Sequence, residues 1–247
     1  MVRGIDKFRE YFQDYQNQYV LIGGAACDIS FERTADDFRA TRDLDMVLIV
    51  ETLTKEFGQQ FWKFIQDGEY LHRAKSTGEP QFYRFDKPQN PEFPQMIELF
   101  ARTEWAIGDE PLIPVHIDDS VSSLSAILLN EEYYESLLSG REVIDGISIL
   151  KPTYLIPFKA KAWLDLKTKK EQGMSVDSRD IKKHKNDILR LTTSMVLEDD
   201  VELSEEAKND METFIQNLKE ETIDLKNLKI VGISKEAIIE RLEDTYL

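Results

Sequence analysis

Asp43 and Asp45 are the residues of this 247-residue chain best suited to chemistry. On an extended strand, side chains two apart project from the same face, roughly 6.6 Å apart along the chain. The two acids therefore point together, and Leu44 and Met46 point the other way. The residues that follow are apolar, so the strand enters a core. Two carboxylates at the start of a buried strand repel each other and lose hydration. Two readings are open. Either both acids are solvated strand-end residues, or a divalent cation sits between them, for which hard oxygens suit Mg²⁺ or Mn²⁺. Gly23-Gly24 follows the apolar run Tyr19-Val20-Leu21-Ile22 and opens a helix. Its backbone can approach a phosphate closely, or simply make a tight strand-to-helix turn. Glu98 lies in an otherwise apolar stretch, Met96 to Phe100. A charge there is costly unless it is paired, at a site, or facing water at a sheet edge.

The elements that position these residues read in two halves, 1–151 and 152–247. Ile5, Phe8, Phe12 and Tyr15 recur at helical spacing. Tyr19 to Ile22 reads as a buried strand, with a brief helix through Ala25 to Ile29 after it. Asp43 to Val50 is the clearest strand, and Leu53 to Ile65 follows as a helix. Gln81 to Phe85 and Met96 to Phe100 are further strands, separated by a Pro/Asn turn from Lys87 to Pro94. Arg141 to Leu150 reads as a hairpin around Asp145-Gly146, a type I′ pair. After Pro152 the apolar period becomes 3.6. Leu155, Phe158, Ala162 and Leu166 mark one helix, and Ile181, His184, Ile188 and Leu191 a second. Ala207, Met211, Phe214, Ile215 and Leu218 mark a third. Ser234 caps a last one carrying Ile238, Ile239 and Leu242. An α/β half thus precedes an all-helical half.

Composition narrows the function. Hydrophobic residues at 41% support a buried core, which excludes global disorder. The formal net charge of −16 argues against broad nonspecific duplex binding, although a local basic groove stays open. The basic cluster is Lys159 to Lys170 followed by Arg179 to Lys185. No run approaches the ~18 apolar residues that cross a bilayer, so no membrane role is expected. The N-terminal segment mixes acids with bases and has no apolar core, unlike a signal or transit peptide. Cys27 is the single cysteine, and His72, His116 and His184 lie far apart in sequence. Neither type has the spacing of a zinc site, and a reducing cytoplasm fits best.

Together, Gly23-Gly24, the stretch Arg39-Ala40-Thr41-Arg42-Asp43-Leu44-Asp45 and the later Glu98 resemble the DNA polymerase β-like nucleotidyltransferase superfamily. More narrowly, R-x-T-x-D-L-D resembles the AbiEii-type nucleotidyltransferases, the toxin halves of toxin–antitoxin systems. The resemblance covers roughly residues 15–195. It extends to a lysine helix, Phe158 to Trp163, with Lys159 as the counterpart. It extends also to a second helix at Lys183 to Ile188, with His184 where an acid is usual. Glu98 stands where many relatives have aspartate, which changes reach by one methylene but not ligand chemistry.

The resemblance implies an α/β (α+β) fold: a polymerase β-like mixed sheet with helices, then a C-terminal helical domain. It implies Mg²⁺ (or Mn²⁺) on Asp43, Asp45 and Glu98, and a nucleoside triphosphate bound by Gly23, Gly24, Arg39, Thr41 and Arg42. Glu98 would share a second cation or act as general base. Lys159 and Lys183 would offset phosphate charge, with Asp187 beside them. The acceptor would be RNA or protein, and an antitoxin protein a further partner. Two alternatives accompany this expectation: transfer to a small molecule, as in antibiotic-modifying relatives, and a weakly active nucleotide-binding protein acting through a partner. Helical spacing adds that Asp180, Lys183 and Asp187 share one face, which would present Lys183 and Asp187 to a cleft.

Overall fold

A computed structural model describes residues 2–32, 34, 41–74, 80–102, 112–115, 124–198 and 201–247. The fold is mixed α/β, with two compact units, Met1–Leu150 and Lys151–Leu247. Among the described residues no helix is long and apolar enough to cross a membrane.

In the first unit, α1 (Ile5–Phe12) leads into β1 (Tyr19–Ile22), α2 (Gly23–Phe31), β2 (Asp43–Leu48) and α3 (Lys55–Asp67). Then come β3 (Leu71–Ala74), β4 (Pro80–Asp86), β5 (Met96–Arg102), β6 (Leu112–Val115) and β7 (Leu124–Leu129). The unit closes with α4 (Glu131–Ser139) and the hairpin β8 (Arg141–Ile144) and β9 (Ile147–Leu150). The described strands form one nine-stranded sheet in the order β3-β4-β5-β2-β1-β9-β8, with β7 on β5 and β6 on β7. β2 lies in its middle, antiparallel to β1 and parallel to β5. The expected strand through Val50 ends at Leu48, and Val50–Thr52 forms a single 3-10 turn. Strands β3, β6 and β7 and helix α4 were not expected from the sequence.

The centre of one face of this sheet is apolar. Register places Leu44, Met46 and Leu48 of β2 on the face of Tyr19 and Leu21 of β1 and of Ile97 and Leu99 of β5. All seven are buried. Helices α1 and α3 cover that face. Phe8 and Phe12 stand four residues apart on α1, and Phe57, Phe61 and Phe64 line α3, so each set forms one stripe. Phe8 and Phe12 meet at 4.7 Å between ring centroids, Phe12 and Phe64 at 5.3 Å, and Phe61 meets Phe85 of β4 at 5.5 Å. Such aromatic packing contributes beyond area burial alone. Because this layer fills one face, alternation sends Asp43, Asp45 and Glu98 to the other.

The far end of β5 is pinned by a polar cluster. Arg102 pairs with Glu51 and, at 3.2 Å, with Glu131 at the start of α4. The Tyr134 hydroxyl donates to Glu51 at 2.6 Å. Burial pushes the Glu51 carboxyl up, but hydrogen bonds from Tyr134 and Arg102 outweigh it and hold the group below its ordinary range. In the β8–β9 hairpin, Asp145 and Gly146 both have positive φ, 48° and 79°, as a type I′ turn requires.

The second unit is helical: α5 (Pro152–Glu171), α6 (Ser178–Ser194), α7 (Glu205–Glu220) and α8 (Lys235–Tyr246). Asp177, Ser204 and Ser234 cap α6, α7 and α8, their side chains accepting from the first-turn amides. Trp163 of α5 and Phe214 of α7 meet edge to face at 5.2 Å in the core. Pro157 lies inside α5 and has no N–H to donate to the Thr153 carbonyl. The Tyr246 hydroxyl of α8 donates to that carbonyl instead, at 2.6 Å. Burial pushes this hydroxyl's pKa well above its ordinary value, so it remains a donor.

Candidate active site

Asp43 and Asp45 open β2, and their placement follows from its neighbours. Arg42, exposed, accepts the Gln95 amide on its carbonyl at 3.1 Å, which sets β2 in register with β5. The register is Asp43 with Met96 and Asp45 with Glu98. Paired residues on adjacent parallel strands share a face and stand about 4.8 Å apart. All three carboxylates therefore project from one face of two neighbouring strands. Each is half-buried, unlike Leu44, Met46, Ile97 and Leu99 between them.

Gly23 ends β1 and starts α2 against this group. Ile22 pairs with Asp45 across the β1–β2 ladder. Gly23 takes φ 66°, in the left-handed region, and a Cβ there would collide with the Asp45 Oδ2. Glycine thus serves twice, for the turn and for close approach to the carboxylate. Gly24 is buried, and Ile22, the N-cap of α2, brings no polar side chain to the first-turn amides. Gly23→Ala is expected to cost about 1–2 kcal/mol of stability from φ alone. It also displaces the Asp45 carboxylate, so any activity that depends on Asp45 should fall further than stability does. Urea unfolding beside a turnover assay checks this, and equal losses would assign Gly23 to the turn only.

Glu98 has a partner on the neighbouring strand β4. Arg84 of β4 faces Glu98 across the antiparallel β4–β5 ladder. Its Nε donates to Glu98 Oε1 at 2.9 Å, and its Nη2 donates to the same oxygen. Phe85, next along β4, is fully buried on the aromatic face, so alternation puts Arg84 with the acids. The aromatic neighbours on both sides of Arg84 hid this phase in the sequence.

The donors are hard oxygens on adjacent strands, a chemistry that suits Mg²⁺ or Mn²⁺. They are not drawn into one cluster: among the described residues no three His, Cys, Asp or Glu side chains converge on a single cation position. Thr41 is buried beside the start of β2. Arg39 and His116 lie outside the described residues.

The helical unit holds the remaining candidates. Lys159 of α5 and Asp187 of α6 form an ion pair at 2.9 Å, with side chains only 4% and 0% exposed. Lys159 is therefore buried against its partner rather than exposed to solvent. The expectation that Asp187 joins Lys183 on a presented face is corrected. Asp180 and Lys183 are exposed, whereas Asp187 is buried. The reason is that α6 changes environment along its length. Its first two turns stand in solvent, while Asp187, Ile188, Leu189, Leu191 and Thr192 are enclosed by packing against α5 and α8. Trp163 and Cys27 are core residues.

No protein-family model matches the chain, and no curated protein matches it. Among solved structures, the chain is similar to one described as "putative nucleotidyltransferase from H. pylori", with 14% identity and a TM-score of 0.35, over 97% of this chain and 93% of that one.

Proposed function

We propose that this chain is a divalent-cation-dependent nucleotidyltransferase that moves a nucleoside monophosphate from a nucleoside triphosphate to an acceptor hydroxyl. The observation that carries the reading is one arrangement. Asp43, Asp45 and Glu98 share a face of adjacent parallel strands, and a left-handed Gly23 packs against Asp45. Hard oxygens on one sheet face beside a glycine turn suit a divalent cation and a phosphate chain.

When bound, Mg²⁺ or Mn²⁺ supplies charge neutralisation for the triphosphate, held by Asp43 and Asp45 with Glu98 beside them. The backbone at Gly23-Gly24 takes the phosphate oxygens, where a side chain would obstruct them. Glu98 accepts the proton of the acceptor hydroxyl. The acceptor oxygen forms a bond to the α-phosphorus, the bond from that phosphorus to the bridging oxygen breaks, and pyrophosphate leaves with the electron pair. Arg39, Thr41 and Arg42, beside the acids in sequence, position the nucleotide.

The resemblance of R-x-T-x-D-L-D extends this reading to a toxin role with an antitoxin partner and an RNA or protein acceptor. Lys169, Lys170, Lys182 and Lys183 are exposed along the α5–α6 hairpin, which favours a polyanionic acceptor despite the overall acidity. The test is incubation with Mg²⁺ and each α-labelled nucleotide in a cell extract. Label is expected in RNA or protein, lost in Asp43→Ala/Asp45→Ala. Label in a small metabolite would assign the small-molecule alternative, and nucleotide binding without label the partner-dependent one.

A further inference from the structure

The strand pairing brings a cation of the chain itself onto the third carboxylate. Two nitrogens of Arg84, Nε and Nη2, engage one oxygen of Glu98, Oε1. Oε2 has no hydrogen-bond partner among the described residues. The Glu98 side chain is 12% exposed and that of Arg84 33% exposed, so solvent screens the pair only in part. Asp45 is the β2 register partner of the same glutamate, and Asp43 lies two residues before it.

We propose that Arg84 is a positioning residue for Glu98: it holds the third carboxylate by Oε1, apart from the Asp43–Asp45 pair, and presents Oε2 alone to substrate or cation. This rests on the proposed nucleotidyl transfer. Two physical consequences follow. First, the guanidinium offsets the repulsion among three carboxylates on one face, and so competes with a divalent cation for them. Second, its planar fork fixes the orientation of Glu98, which a lysine cannot reproduce. Removing Arg84 should therefore tighten cation binding while impairing turnover. A residue needed only for folding would weaken both.

The test uses the full chain, Mn²⁺ as the probe and electron paramagnetic resonance as the readout, without nucleotide. Arg84→Met is expected to bind Mn²⁺ about tenfold more tightly, because a positive charge leaves the neighbourhood of the acids. In the Glu98→Gln background the same substitution should have a smaller effect, since the released carboxylate is absent. Turnover of Arg84→Met should fall at least about tenfold. Arg84→Lys keeps the charge but not the fork. It should retain near wild-type Mn²⁺ affinity and still lose turnover, and it replaces Arg84→Met should that variant fail to fold. Unchanged or weaker Mn²⁺ binding in folded Arg84→Met overturns the proposal, as does full turnover in Arg84→Lys. Wild-type protein that transfers no label from any nucleotide would overturn nucleotidyl transfer instead, while the Mn²⁺ comparison still decides the role of Arg84.

Discussion

Asp45→Asn is expected to lower nucleotidyl transfer by about a thousandfold, with the first unit still folded. A divalent cation at phosphoryl groups is worth several kcal/mol of transition-state stabilisation, and each 1.36 kcal/mol is tenfold in rate. Asp45 sits at the centre of the group: paired with Glu98 on β5, with Ile22 on β1, and in contact range of Gly23. The amide keeps the shape of the carboxylate and removes its charge, so packing is preserved. Because the substitution is isosteric, the first unit should still unfold in one cooperative transition. Steady-state turnover and a thermal melt of the same preparation give the two readings. A variant that keeps full turnover excludes Asp45 from the chemistry. One that melts far below wild type makes Asp45 a structural residue.

The second large effect lies in the helical unit. Lys159→Met leaves the Asp187 carboxylate buried without the ammonium it faces at 2.9 Å. Breaking a buried ion pair from one side typically costs about 3–5 kcal/mol, because the remaining charge is desolvated. Replacing both members by apolar residues of similar volume is often near neutral. Lys159→Met should therefore be strongly destabilising, and Lys159→Met/Asp187→Leu should recover most of the loss. Amide hydrogen exchange of α5 and α6 reads this unit specifically. A small effect of the single variant would mean that the pair is solvated in solution. The double variant also separates two roles. Transfer that stays lost in a stable double variant assigns the Lys159–Asp187 pair to the chemistry, as the family resemblance implies. Transfer that returns makes the pair a scaffold.

Much of the sheet was legible because its signals were local. Tyr19–Ile22 and Asp43–Leu48 are apolar runs bounded by glycines or acids, and Asp145-Gly146 announces its own turn. The shared face of Asp43 and Asp45 follows from period two alone. Pairing partners were not legible, because they depend on register between distant segments. That Glu98 stands beside Asp45, and Arg84 beside Glu98, appears only once β5 is seated between β2 and β4. The burial of Asp187 was hidden for a related reason. A helical wheel groups it with Asp180 and Lys183, but the wheel does not say where along α6 the packing begins. Helix α4 carries a local signal of its own. Asn130 caps it by accepting the Glu132 amide at 2.8 Å, and Tyr133, Tyr134 and Leu137 fall at helical spacing. Strand β6 is short, and Pro114 interrupts it, which weakens any strand pattern.

The most direct test of nucleotidyl transfer compares α- and γ-labelled triphosphates with the purified full chain, Mg²⁺ and the acceptor found in extract. Transfer of a nucleoside monophosphate predicts that α-label enters the acceptor while γ-label leaves as pyrophosphate, in equal amounts. Label that enters the acceptor from the γ position, or label released with no acceptor modified, would contradict it and assign the acids of β2 and β5 to different chemistry.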